Sequence, residues 1–81
     1  ITARIQRHQS LVRKAAAESE IDVDLLNAVC FLESKFDARA RRGKNKGLMQ
    51  LGPGAISSMA AQLDVRAAPY NPDFALRAGA R

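Results

Sequence analysis

Apolar residues recur by threes and fours along this chain and nowhere alternate with polar ones over a strand's length, so the pattern predicts helices joined by loops and no strand. A first helix is expected from about Thr2 to Glu18, with Ile1, Ile5, His8, Val12, Ala15 and Ala16 along one face. Asp22 stands where a second helix needs its cap, and Asp24 adds negative charge to the first turn, which the helix dipole favours. This helix is expected to run to about Lys35. Periodicity then stops: "ARARRGKNKG" contains two glycines and reads as a loop, with "LMQL" a short helical turn after it. Pro53 suits the first turn of a third helix whose buried face is Ile56, Met59, Ala60 and Leu63. Asn71 as cap and Pro72 at the first helical position repeat the device before "DFALRAGAR". The expected fold is all-α, a single domain over residues 1–81.

Length and composition narrow this picture. A chain of 81 residues makes one domain with a thin core, and 47% hydrophobic with 26% charged residues is a globular composition, not a disordered one. No apolar run reaches the roughly 18–20 residues that cross a bilayer, and "ITARIQRHQS" lacks the apolar segment of a signal peptide. The chain opens without Met and ends on "RAGAR" inside a helix-like pattern, so a processed product or an incomplete domain is expected.

Charge and cysteine limit the chemistry. The net charge is +5, and Arg39 to Lys46 hold five of the thirteen basic residues without an acid. Such a loop is either simply solvated or attracts a polyanion: nucleic acid, an anionic membrane or an acidic cell-wall polymer. One Cys and one His cannot complete a four-ligand zinc site, so neither a structural metal nor another cofactor is expected. Cys30 reads as packing, because its only available base would be His8. His8 lies on or beside the buried stripe and reads as a structural histidine before a catalytic one.

One residue breaks the pattern. At about 100° per residue Glu33 falls between Val29 and Leu26, inside the apolar arc of the second helix. Burial and the negative end of the helix dipole both raise a carboxyl's pKa, which is what a general acid protonating a leaving oxygen requires. A salt bridge to an arginine of the following loop, or a frayed last turn, would explain the same placement without catalysis.

Glu33-Ser34 at a helix end, Phe36, Ala40, "GLMQ" at Gly47 to Gln50, Pro53, then "NP" at Asn71-Pro72 and "AG" at Ala78-Gly79 together resemble the lytic transglycosylase family, from about Ala15 to Gly79. The closer likeness is to the soluble-lytic-transglycosylase catalytic domain, with a goose-type-lysozyme-like fold. The resemblance implies that Glu33 is the single acid/base that cuts peptidoglycan between N-acetylmuramic acid and N-acetylglucosamine and leaves a 1,6-anhydro product. It also implies that Ser34, Gly47, Met49 and Gln50 contact substrate or line the cleft, and that the chain works in the bacterial cell envelope, periplasmic or secreted, or with a phage. Its partner would be peptidoglycan glycan strands, with no nucleic acid and no transmembrane segment expected.

The match departs from the family in places. The loop before "GLMQ" is about one residue short, Arg42 stands near a common serine, and Asn45-Lys46 replace a Gly-Ala pair. Ala55 and Ala75 stand where Thr and Asn are frequent. "APYNP" only superficially resembles the family's "AYN" motif, so Tyr70 receives no catalytic role and the domain is expected to be truncated. Two alternatives stay open: an inactive glycan-binding or structural module of the same fold, and a small basic helical nucleic-acid binder. The latter leaves "GLMQ" and the buried acid unexplained and puts its cations on a loop where a recognition helix is needed.

Overall fold

In the computed structural model, which describes residues 2–81, helix α1 (Thr2–Arg7) and helix α2 (Gln9–Ser19) replace the single first helix that periodicity predicts. The break falls at His8. Its ψ is 1°, and its amide bonds to the Ile5 carbonyl at 3.3 Å, an i−3 link instead of the α-helical i−4 link. The cause lies elsewhere in the chain: the buried His8 ring lies parallel to the buried Phe36 ring, centroids 6.4 Å apart and planes 12° apart. Ile1, assigned to the same face from sequence, lies outside the described residues.

Helix α3 (Val23–Ser34) begins as expected, with the Asp22 carboxylate accepting the Asp24 N–H at 2.8 Å. It ends sharply because Lys35 and Phe36 both take left-handed backbone, φ 52° and 61°. That double turn swings Phe36 into the core under His8. A reciprocal amide pair, Gln9 Nε2 to Asn27 Oδ1 at 2.7 Å and Asn27 Nδ2 to Gln9 Oε1 at 3.1 Å, ties α3 to α2.

The loop before "GLMQ" contains a two-stranded antiparallel hairpin, contrary to the expectation of no strand: β1 (Arg41–Arg42) pairs with β2 (Asn45–Lys46). Its reason is turn chemistry, not side-chain alternation. Gly43 sits at φ +63° in the first of two turn positions, a conformation suited to hairpin twist, and a bridge from Lys46 to Leu51 continues the pairing. "LMQL" does form a turn, and Leu48 and Leu51 are buried.

Helices α4 (Pro53–Leu63) and α5 (Pro72–Ala80) start at their prolines, and Asn71 Oδ1 caps α5 by accepting from the Asp73 and Phe74 amides. The core forms where α5 meets α2: Val12, Ala15 and Ala16 against Phe74, Ala75 and Leu76, with Leu26, Cys30, Phe36 and Leu48 beneath. Ile56, Met59, Ala60 and Leu63 of α4 lie partly buried at its edge. The molecule is mainly α. Among the described residues no helix is long and apolar enough to cross a membrane.

Candidate active site

Helix α3 is apolar nearly all round, and only one side of it is covered. Leu26, Cys30 and Ser34, spaced by fours, face the core, whereas Leu25 is 57% and Leu32 77% exposed, with Val29 and Phe31 also at the surface. Glu33 lies between these two sides, half-buried in the last turn. The expectation that it sits within a buried arc is therefore corrected: half of that arc is on the surface. Glu33 instead opens into a cleft of about 150 Å³ lined by the end of α3, Arg41 and Arg42 of β1, Ala40 and Gln50. Among the described residues it forms no salt bridge, with those arginines or with any other cation.

Ser34 joins α3 to "GLMQ". Its buried hydroxyl donates to the Leu48 carbonyl at 2.7 Å, with the Cys30 carbonyl at 3.2 Å, and the Cys30 thiol reaches the same Leu48 oxygen at 3.7 Å. Burial pushes the thiol up to about 11, so it stays protonated and inert at neutral pH, in line with a packing role. Burial, assisted by the neighbouring Arg7 charge, pushes His8 below its ordinary value. Its ring opens on a different hollow, beside Arg4, Arg7 and Asp37, away from Glu33.

Gln50 is buried at the back of the cleft with φ 48°, and its Nε2 donates to the Ala40 carbonyl at 3.0 Å and the Gly47 carbonyl at 2.8 Å. Two carbonyl partners fix which end of the amide is nitrogen, and Oε1 is left without a protein donor. Gly47 has φ +82°, and a Cβ there would fall 2.0 Å from the Pro69 carbonyl oxygen, so glycine is required for close packing on that loop. Met49 lies in the core against Gly79, where a Cβ would come within 2.5 Å of its Cγ. Gly47 and Met49 thus shape the turn from behind and are not among the residues lining the cleft.

Of the residues singled out from sequence, the cleft gathers Glu33, Ser34 and Gln50. The arginines that wall it, Arg41 and Arg42, were legible only as part of a basic loop. The one available signal was Gly43, a turn residue that folds the loop back beside α3. Tyr70 is exposed and is not among the residues lining the cleft. Among the described residues no three His, Cys, Asp or Glu side chains converge as metal ligands would.

No curated protein matches the chain. The family model described as the transglycosylase SLT domain matches residues 10–81, nearly the whole length, including every residue that lines the cleft. The chain therefore belongs to the transglycosylase SLT family, whose members are lytic enzymes of peptidoglycan with a mainly-α, lysozyme-like domain.

Proposed function

We propose that the chain is a peptidoglycan lytic transglycosylase in which Glu33 acts first as acid and then as base. The observation that carries this reading is that Glu33 is the only carboxylate lining the cleft. Most glycosidases that add water use a second carboxylate, as nucleophile or as base, roughly 5–10 Å from the first. A reaction in which the substrate brings its own nucleophile needs one. Glu33 gives its proton to the oxygen between N-acetylmuramic acid and N-acetylglucosamine, and the bond to the muramic anomeric carbon breaks. The resulting carboxylate takes the proton of the muramic 6-hydroxyl as that oxygen bonds to the same carbon. The products are a free 4-hydroxyl on the glucosamine side and a 1,6-anhydromuramic end, with Glu33 again protonated. The attack is intramolecular, which supplies a high effective concentration.

Ser34 serves this reaction by holding α3 against the turn, and Gln50 by clasping the Ala40 and Gly47 carbonyls beneath the cleft. Gly47 and Met49 support the turn from the core side. Arg41 and Arg42 hold positive charge beside the cleft, attracting anionic strands. The setting is the cell envelope or a phage that attacks it, which agrees with where the family acts.

Purified peptidoglycan treated with the chain and with Glu33→Gln tests the reading by product mass. Anhydromuropeptides from the first alone support it; reducing-end products would mean hydrolysis. The small cleft, below the roughly 300 Å³ typical of ligand sites, favours a second reading, a glycan-binding module without turnover. Binding without products from either protein would establish that one.

A further inference from the structure

His8 is buried, at 7% exposure, and the proposed reaction makes no use of it. Stacking on Phe36 accounts for a ring at this position but not for an imidazole, since a phenyl ring would stack as well and bury no polar atom. Among the described residues nothing hydrogen-bonds the ring nitrogens. The ring opens on a hollow of about 170 Å³, lined by Arg4 and Arg7 of α1 and by Phe36, Asp37 and Arg39 of the loop after α3. This hollow shares no lining residue with the cleft beside Glu33. Its three arginines are exposed, and among the described residues no salt bridge engages them. Arg4 and Arg7 stand one turn apart on α1, a spacing at which like charges repel, and Arg39 brings a third cation to the same opening. Asp37 is the one acid in the lining, and its Oδ1 accepts the Arg39 amide at 3.0 Å, which fixes the carboxylate at the rim.

We propose that this hollow is a binding site for a phosphate group that retains a proton, free or at the end of a monoester, held by Arg4, Arg7, Arg39 and the His8 ring. A tetrahedral phosphate has acceptor oxygens enough for guanidinium forks arriving from two elements and for an imidazole N–H at once, whereas a planar carboxylate has two oxygens. Asp37 narrows the choice further. Its carboxylate repels a fully ionised anion and accepts from a P–O–H, which sulfate and a phosphodiester both lack. The backbone of a nucleic acid and the diester headgroups of lipids are thereby disfavoured. The volume is below the roughly 300 Å³ typical of organic-ligand pockets, so the hollow takes the phosphoryl group and leaves outside whatever carries it. Burial and the Arg7 charge hold His8 below its ordinary value. The charged groups facing the ring are Arg4 and Arg7 from α1 and Arg39 and Asp37 from the loop, and a phosphate seated among them adds negative charge that draws the value back up.

Inorganic phosphate, glycerol phosphate, sulfate and dimethyl phosphate are each titrated into the isotope-labelled chain at low salt and about pH 6, close to the second ionisation of a phosphate monoester, following backbone amides and the His8 ring. Inorganic phosphate is expected to shift His8, Asp37 and Arg39 saturably, to leave the amides of Glu33 and Gln50 in place, and to raise the pH midpoint of the His8 ring. Glycerol phosphate binding as well would assign the site to a monoester, and inorganic phosphate binding alone to the free ion. His8→Phe keeps a ring on Phe36, and Arg4→Gln/Arg39→Gln changes only exposed side chains; each should weaken binding by about tenfold or more, with the rest of the spectrum reporting an intact fold. Asp37→Asn keeps the Oδ1 acceptor for the Arg39 amide and should erase the preference for phosphate over sulfate. Sulfate or dimethyl phosphate bound by the wild type as tightly as phosphate, undiminished binding by His8→Phe, or no saturable shift would each overturn the proposal. Peptidoglycan turnover takes no part in the test, so this site and the transglycosylase reading stand or fall separately.

Discussion

The pair α2 and α5 and the pair α3 and hairpin are built on opposite plans. Between α2 and α5 the small residues Ala15, Ala16, Ala75 and Ala78 stand with Val12, Phe74 and Leu76 in one fully covered seam. Outside, Glu18 accepts from Arg77 at 3.1 Å and Arg81 at 2.8 Å, and Lys14 meets Asp73 at 3.2 Å. Helix α3, by contrast, leaves Leu25, Val29, Phe31 and Leu32 at the surface, and among the described residues the hairpin's cations have no acidic partner. Stability is concentrated in one half and unsatisfied chemistry in the other. The carboxylate proposed to react, Glu33, can be held still only if its helix is anchored elsewhere, and the Leu26, Cys30 and Ser34 seam anchors it.

The sharpest way to separate the halves is Glu33→Gln. Turnover should fall by about 10²–10⁴-fold, the range for losing a general acid–base, with the thermal midpoint unmoved. Its counterpart is Leu76→Ala in the fully buried seam, expected to cost about 2–5 kcal/mol in urea unfolding. Ser34→Ala bridges the two halves: it strips the short hydrogen bond from the buried Leu48 carbonyl, for about 1–3 kcal/mol, and should lower kcat as well because the turn loosens beside Glu33. If stability falls and kcat does not, the serine serves packing alone.

Titration sharpens the comparison further. His8 is depressed in the folded chain, so the unfolded chain binds the proton first, and stability should decline as pH falls through the ordinary value of 6.5. Cys30 titrates at about 11 when folded, so the unfolded thiol ionises first and stability should also decline as pH rises past 9.0. Urea midpoints across pH check both slopes, and Cys30→Ala should abolish the alkaline one. The smallest effect belongs to Leu32→Ala, within about 0.5 kcal/mol, because that side chain is already in water. A larger loss would mean that α3's outer face is covered in solution.

The elements whose signals are local were legible. Asp22, Pro53 and Asn71-Pro72 fix helix starts through bonds or backbone limits within a few residues, and the structure has all three. The break at His8 was not legible, since its cause is a ring that arrives from Phe36, far along the chain. Nor was the hairpin, whose strands read Arg-Arg and Asn-Lys and owe their pairing to Gly43 and the Leu51 bridge. Periodicity placed Glu33 correctly relative to its neighbours and misjudged what covers them. A helix apolar on most sides does not reveal which side has a partner. Joining Glu33-Ser34 to "GLMQ" needed the words themselves, and the Ser34–Leu48 hydrogen bond is the physical content of that pairing.

The Gln50 amide has a consequence for how such a domain changes over time. It clasps the Ala40 and Gly47 carbonyls together, and the Gly47 N–H adds a bond to the Ala40 carbonyl at 2.8 Å, so both feet of the hairpin are locked to each other from below. Residues 41–46 thereby form a replaceable insert. Their length and charge can change while Glu33 and the turn behind it keep their places. A grafted loop would exchange the charge beside the cleft and leave the turn behind Glu33 as it is.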